Sequence, residues 1–243
     1  MNKIIAVTSG KGGTGKSTFS ALLAINAAKK DFSVLLIDMD AGMRCLDMIL
    51  GVSESVLMDL SDVLSGGELE SSVLEIPKHS GLYLLPAPQK QNSVDSVKFG
   101  QFVESISDKY SLIIIDFPAG SNKTFYEHLP KKTDFVCVCN PDPVSVRDAA
   151  VTGFELRSVN RRGKLVINKY NYRFIENTAF KNLDDILDQT GLGLLGILPM
   201  SDKLVYAFST GKFSKRGREV RAIKRIYSRI LGKNTPLVKL KKI

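Results

Sequence analysis

The most constraining feature of this chain comes first. An apolar run, Ile4–Thr8, enters Ser9-Gly10-Lys11-Gly12-Gly13-Thr14-Gly15-Lys16-Ser17-Thr18, and a helical pattern follows at once. The fixed positions of G-x-x-x-x-G-K-[ST] are met by Gly10, Gly15, Lys16 and Ser17. Glycines without Cβ atoms let backbone N–H groups curl around phosphate oxygens. The helix beginning near Lys16 adds its positive dipole end. Lys16 places a cation on the β- and γ-phosphates, and the Ser17 hydroxyl is a Mg²⁺ ligand. The same stretch also reads as G-x-G-x-x-G, with Asp38 about 20 residues on, as a dinucleotide site would have it. That reading leaves Lys16-Ser17 and a later strand-end aspartate without a role, so the phosphate loop is preferred.

A phosphate loop of this kind requires a strand before it and a helix after it, and the rest of the chain supplies more of both. Strand-like runs lie at Lys3–Thr8, Val34–Asp38, Leu82–Pro86, Leu112–Asp116, Phe135–Asn140, Lys164–Asn168 and Leu194–Leu198. Several are continuously apolar, as strands covered on both faces are. Helical patterns lie between them, at Lys16–Lys30, Val94–Ser107, Val144–Val159 and Thr178–Gln189. The alternation predicts an α/β fold with a doubly wound, mostly parallel sheet. One ATPase domain is expected over residues 1–231, with a basic tail over 232–243.

Two further strand ends carry carboxylates. Ile37-Asp38-Met39-Asp40-Ala41-Gly42 places two aspartates where ligands bind in open α/β sheets. One can support a Mg²⁺-bound water while the other aligns the attacking water. Leu112–Ile115 delivers Asp116 ahead of Phe117-Pro118-Ala119-Gly120, the usual second support for Mg²⁺. Gly120 is expected to offer a backbone N–H to the γ-phosphate.

Together these pieces resemble the MinD/ParA family of deviant P-loop ATPases, which carries K-G-G-x-G-K-[ST], matched by Lys11–Ser17. Within the family the likeness is greatest to the septum-site-determining branch. It rests on Asp38–Arg44 with Leu46-Asp47 and Gly51, on Asp116–Gly120, on Asn140-Pro141-Asp142 with Ser145–Asp148, and on Gly196–Pro199. The resemblance covers the chain to about residue 230. It implies ATP and Mg²⁺ as ligands, with residues Gly10 to Thr18 around the phosphates. Two subunits would close face to face on ATP, with Lys11 reaching the partner's nucleotide. Lys11, Lys16 and Asp40 would be the catalytic residues, with Asp40 orienting water. Ser17, Asp38 and Asp116 would support the metal. Asn168 would contact adenine, and Pro199 to Asp202 would flank the base.

The function implied is an ATP-driven dimerisation switch in spatial regulation of cell division, with a separate activator protein. Partition of chromosomes or plasmids on non-specific DNA is the alternative use of the same site. An iron-protein reductase is disfavoured, because neither Cys45 nor the Cys137/Cys139 pair falls where a seam cluster would need thiolates. Cys137 and Cys139 read as small apolar strand residues. A tyrosine kinase is disfavoured because only Tyr227 lies near the end of the chain.

Charge decides what the C-terminal part can meet. From Lys212 onward there are 12 Lys/Arg and one acid, a net +11, while the other 211 residues carry −2. Gly217–Leu231 predicts an amphipathic helix with Arg218, Arg221, Lys224, Arg225 and Arg229 mostly opposite its apolar side. Thr235-Pro236 suits a helix start, with Leu237, Leu240 and Ile243 on one face beside lysines. That pattern suggests weak contact with an anionic membrane surface. It lacks the Phe that tails of this branch usually carry. No apolar run reaches the roughly 18 residues of a membrane helix, and the N-terminus does not resemble a signal peptide. The expected location is the cytoplasm, at times against the inner face of the cell membrane.

Overall fold

The computed structural model describes residues 2–29, 31–41, 43–90, 93–172, 180, 182–210, 213–214 and 216–237. An eight-stranded sheet runs through it in the order β3-β4-β2-β5-β1-β6-β7-β8. The strands are β1 (Lys3–Thr8), β2 (Val34–Asp38), β3 (Leu74–Glu75), β4 (Leu82–Leu85), β5 (Leu112–Asp116), β6 (Thr133–Cys139), β7 (Gly163–Tyr170) and β8 (Gly193–Pro199). Seven are parallel. The two-residue β3 pairs antiparallel with β4 at one edge. The expected doubly wound, mostly parallel sheet is what forms. Only β3 had no counterpart among the expected strands, being too short to show a periodicity.

Strand alternation divides the core in two. Ile4, Ala6, Leu35, Ile37, Ile113 and Ile115 face one side of the sheet. Ile5, Val7, Val34, Leu36, Leu112 and Ile114 face the other. The first layer is covered by helices α5 (Ser96–Ser105), α6 (Lys123–His128), α7 (Pro143–Ser158) and α8 (Leu183–Thr190). The second is covered by α1 (Lys16–Ala27), α2 (Cys45–Leu50), α9 (Asp202–Thr210) and α10 (Arg218–Ile230). Both sides of every central strand are therefore dry, which is why these strands read as unbroken apolar runs.

Local signals set the helix starts. Asp95, Asp142 and Asn182 side chains accept from the N–H three residues on, at 2.8, 2.9 and 3.0 Å. Short helices were missed: α2, α3 (Leu60–Leu64), α4 (Leu69–Ser72), α6 and α9. Most are too short to repeat an apolar stripe, and packing holds them. Of the helix expected over Thr178–Gln189, residues 178, 179 and 181 lie outside the described residues, as does Gly42. No helix among the described residues is long and apolar enough to cross a membrane.

After Gly232 the chain takes up no regular structure through Leu237. It lies against α10, where Thr235 Oγ1 donates to Ser228 Oγ (2.9 Å) and Arg229 Nε donates to the Thr235 carbonyl (2.7 Å). Residues 238–243 of the expected tail helix lie outside the described residues.

Candidate nucleotide site

Three neighbouring parallel strands, β2, β5 and β1, end on the same edge of the sheet. In register, Asp38 stands beside Asp116, and Asp116 beside Val7. The phosphate loop leaves β1 at Thr8, so it passes directly over both aspartates. Lys16 and Asp116, 100 residues apart in sequence, are thereby brought together. Lys16 Nζ donates to Asp116 Oδ2 at 3.0 Å and lies 3.9 Å from Asp40 Oδ2. Lys16 is 6% exposed and Asp116 fully buried.

The rest of the cluster is hydroxyls and amides. Ser17 Oγ donates to Asp116 Oδ2 at 2.6 Å. Ser20 Oγ donates to Asp116 Oδ1 at 2.7 Å. Asp38 is held by the N–H groups of Asp40 (2.9 Å) and Leu46 (3.3 Å). Ser20 was not foreseen. Its signal was present, since it stands four residues after Lys16 and so shares its helix face. Tyr126 was missed as well. It is fully buried, and its hydroxyl meets Thr8 Oγ1 at 2.5 Å, bracing the strand end that feeds the loop.

The electrostatics follow from crowding three carboxylates round one ammonium. Burial alone would lower the Lys16 pKa, but Asp116, with Asp40 and Asp38 behind it, raises it above the ordinary value. Burial first, and the charge of Asp116 second, together push the Asp38 carboxyl up to about 7, against the N–H groups of Asp40 and Leu46 and the charge of Lys16. Burial also raises Asp40, against the pull of Lys16.

A group whose folded pKa is raised stabilises the fold at low pH and loses that contribution as pH climbs through the folded value. For Asp38 the loss falls between about pH 4 and pH 7. Without nucleotide or metal, the chain should therefore lose up to a few kcal/mol of stability across that window. In Asp38→Asn the slope should be shallower. Thermal unfolding of both proteins from pH 5 to pH 8 measures this, and parallel slopes would refute it.

The loop itself is shaped to receive an anion. Gly13 and Gly15 have φ of 78° and 86°, in the left-handed region. A Cβ on Gly12 or Gly13 would meet nothing within 4 Å, so their outer side is an open cradle. One on Gly15 would collide with Asn168 Nδ2, and one on Gly10 with the Asp148 carbonyl. Gly10 is thus needed for the close approach of α7. Thr14 Oγ1 is buried in the loop with no hydrogen-bond partner. An inward cation, an open glycine cradle, an unsatisfied hydroxyl and a Ser17/Asp38/Asp116 cluster together fit a phosphate chain with its Mg²⁺.

Asn168 braces the loop from outside, its Nδ2 donating to the Thr14 carbonyl at 2.7 Å. Lys169, at φ 52°, donates to the Gly13 carbonyl at 2.8 Å. Beside them opens a mainly apolar cavity of about 130 Å³, walled by Gly15, Thr18, Asn168, Pro199, Ser201 and Asp202. The residues expected around the base, Asn168 and Pro199 to Asp202, all meet here.

One residue stands differently from its expected geometry. The Gly120 amide donates to the Ser9 carbonyl at 2.9 Å, so it must give up that bond before facing a phosphate. Lys11 is exposed and makes no ion pair among the described residues.

Comparison with known proteins agrees with this fold. Residues 5–214 match the CobQ/CobB/MinD/ParA nucleotide binding domain. The septum site-determining protein MinD of Synechocystis is 32% identical over 216 residues, covering 87% of this chain and 81% of that protein. A chain of the MinC:MinD cell division protein complex of Aquifex aeolicus superposes with a TM-score of 0.88 at 32% identity, covering 98% of both. The septum site-determining protein MinD of Pyrococcus horikoshii, complexed with Mg-ADP, gives 0.81 at 26% identity, covering 95% of this chain and 96% of that one.

Proposed function

The chain belongs to the CobQ/CobB/MinD/ParA nucleotide-binding family, and from that membership we propose a MinD-like, Mg²⁺-dependent ATPase that regulates the placement of cell division by switching between monomer and dimer. The observation that carries the reading is the division of labour between two lysines of one loop. Lys16 is buried against Asp116, within its own site. Lys11 stands exposed two residues before Gly13, where its charge has no partner in its own loop to neutralise.

In this reading Lys16, now on Asp116, would serve the β/γ-phosphates of bound ATP. Ser17, through its hydroxyl, and Asp38 and Asp116 would hold the metal. Mg²⁺ supplies charge neutralisation on the phosphate oxygens. Asp40, partly exposed at the mouth of the site, orients the attacking water. Asn168 keeps one side-chain oxygen for the adenine amino group, and Pro199 and Asp202 bound the base. The ATP-bound face of a second copy receives Lys11. A partner protein on that dimer sets the rate of hydrolysis.

The experiment is Lys11→Ala. The variant should bind ATP with near-normal affinity, since the loop's glycines hold its shape, yet remain a monomer by light scattering. An ATP-dependent dimer of normal stability would overturn the switch. Residues 234–243 provide weak membrane attachment in the same scheme. A lysine near an anionic leaflet contributes about 1 kcal/mol, so one tail holds poorly, while two on a dimer gain roughly 10²-fold in avidity or more. Deleting Asn234–Ile243 should abolish ATP-dependent sedimentation with anionic vesicles. Equal sedimentation of the deletion would remove the tail from the account.

A further inference from the structure

On the far side of Pro199 from the base cavity lies a second and larger cavity, of about 230 Å³, between α10 and β8. Its walls are apolar: Leu195 and Ile197 from the strand, Ala222 and Ile226 from the helix, and Leu237 from the segment that follows. Its rim is cationic, with Arg218, Arg221, Arg225 and Arg229 spaced three or four residues apart along one face of the helix.

The four arginines are not alike. Arg229 is committed to structure, donating from Nη1 to the Leu195 carbonyl (2.9 Å) and from Nε to the Thr235 carbonyl (2.7 Å). Arg221 and Arg225 are exposed and in no ion pair among the described residues. The only acid of the helix, Glu219, is buried elsewhere and accepts from Ser201 at 3.5 Å. Two guanidinium groups therefore stand uncompensated at the mouth of an apolar hollow.

We propose that this cavity binds a single-chain amphipathic organic anion, its carboxylate or phosphate head on Arg221 and Arg225 and its alkyl or aryl body in the apolar floor. Planar guanidinium groups suit such heads through paired hydrogen bonds. A concave apolar wall with a few convergent polar groups is the form that small-molecule sites take. An inorganic anion would leave the floor wet, and a duplex backbone would make no use of it. The chain's own residues 238–243 carry Lys239, Lys241 and Lys242 and no acid, so they would add cations to a cationic rim.

The test is fluorescence titration of the full chain with anilinonaphthalene sulfonate, at saturating Mg-ADP so that the base cavity is filled. One saturable site should appear, displaced by decanoate and not by decanol at the same concentration. R221A/R225A should weaken it by about tenfold or more, because two charge-assisted hydrogen bonds to the head group disappear, with unchanged thermal unfolding. A222W should remove it by filling the hollow with both arginines in place. Undiminished binding in either variant, or equal displacement by decanol, would overturn the proposal. So would tighter dye binding after removal of Val238–Ile243, which would assign the cavity to the tail. Duplex DNA or anionic vesicles that bind through the same arginines without competition from decanoate would overturn it too.

Discussion

Lys16→Ala should lower ATP hydrolysis by on the order of 10³-fold, the largest effect expected of any single change in this protein. Phosphoryl transfer leaves little covalent work to the enzyme, and its catalysis is positioning and charge stabilisation. Lys16 is the one buried cation at the meeting of three strand ends. The same substitution should also destabilise the nucleotide-free chain. It strips Asp116, fully buried, of its ion pair, a type of loss that typically costs about 3–5 kcal/mol. Hydroxyls of Ser17 and Ser20 remain on that carboxylate, which places the cost toward the lower end. Turnover measured well below the melting temperature separates the two effects. Undiminished ATPase activity in a folded variant would sink the catalytic reading of the site.

Asp40→Ala should fall by roughly 10²-fold in turnover, the range for a side chain that positions or deprotonates a nucleophile, while still binding ATP. The structure shows why binding should survive. Asp40 is partly exposed and 3.9 Å from Lys16, so it is not what holds the lysine or shapes the loop. Asp38 is kept in place by the backbone N–H groups of Asp40 and Leu46, and a change of the Asp40 side chain spares that bond. With hydrolysis slowed and ATP retained, the variant should accumulate as a dimer. Light scattering and single-turnover kinetics on ATP-loaded protein check this. A monomer with normal turnover would refute the role.

Much of this site was legible because its chemistry is local. Gly10–Thr18 is one continuous stretch whose glycines, lysine and hydroxyl carry their own geometric meaning. Apolar runs ending in Asp38 and Asp116 announce strand ends whatever the strand order. The basic character of residues from Lys212 onward was equally plain, since charge counts need no fold.

Other features belonged to packing across the chain. Spacing puts Ser20 on the helix face of Lys16, but it does not say that both would meet Asp116, or that Tyr126 would cap Thr8, because those pairings depend on which strands lie side by side. Gly10 is required partly by the Asp148 backbone, 138 residues away. The Gly120 amide is taken by the Ser9 carbonyl, a bond made only when β5 lies beside β1. The C-terminal helix shows the same division. Its amphipathic pattern follows from residue order. That four arginines rim a hollow rather than spread over a flat face depends on β8 passing beneath with Gly196 opposite Ile226. The sequence alone therefore determined the strand–loop–helix unit, the doubly wound sheet and the residues that chemistry demands. The tertiary structure decided which distant groups satisfy one another, because burial makes an unpaired polar atom costly and only strand order says which partners lie within reach.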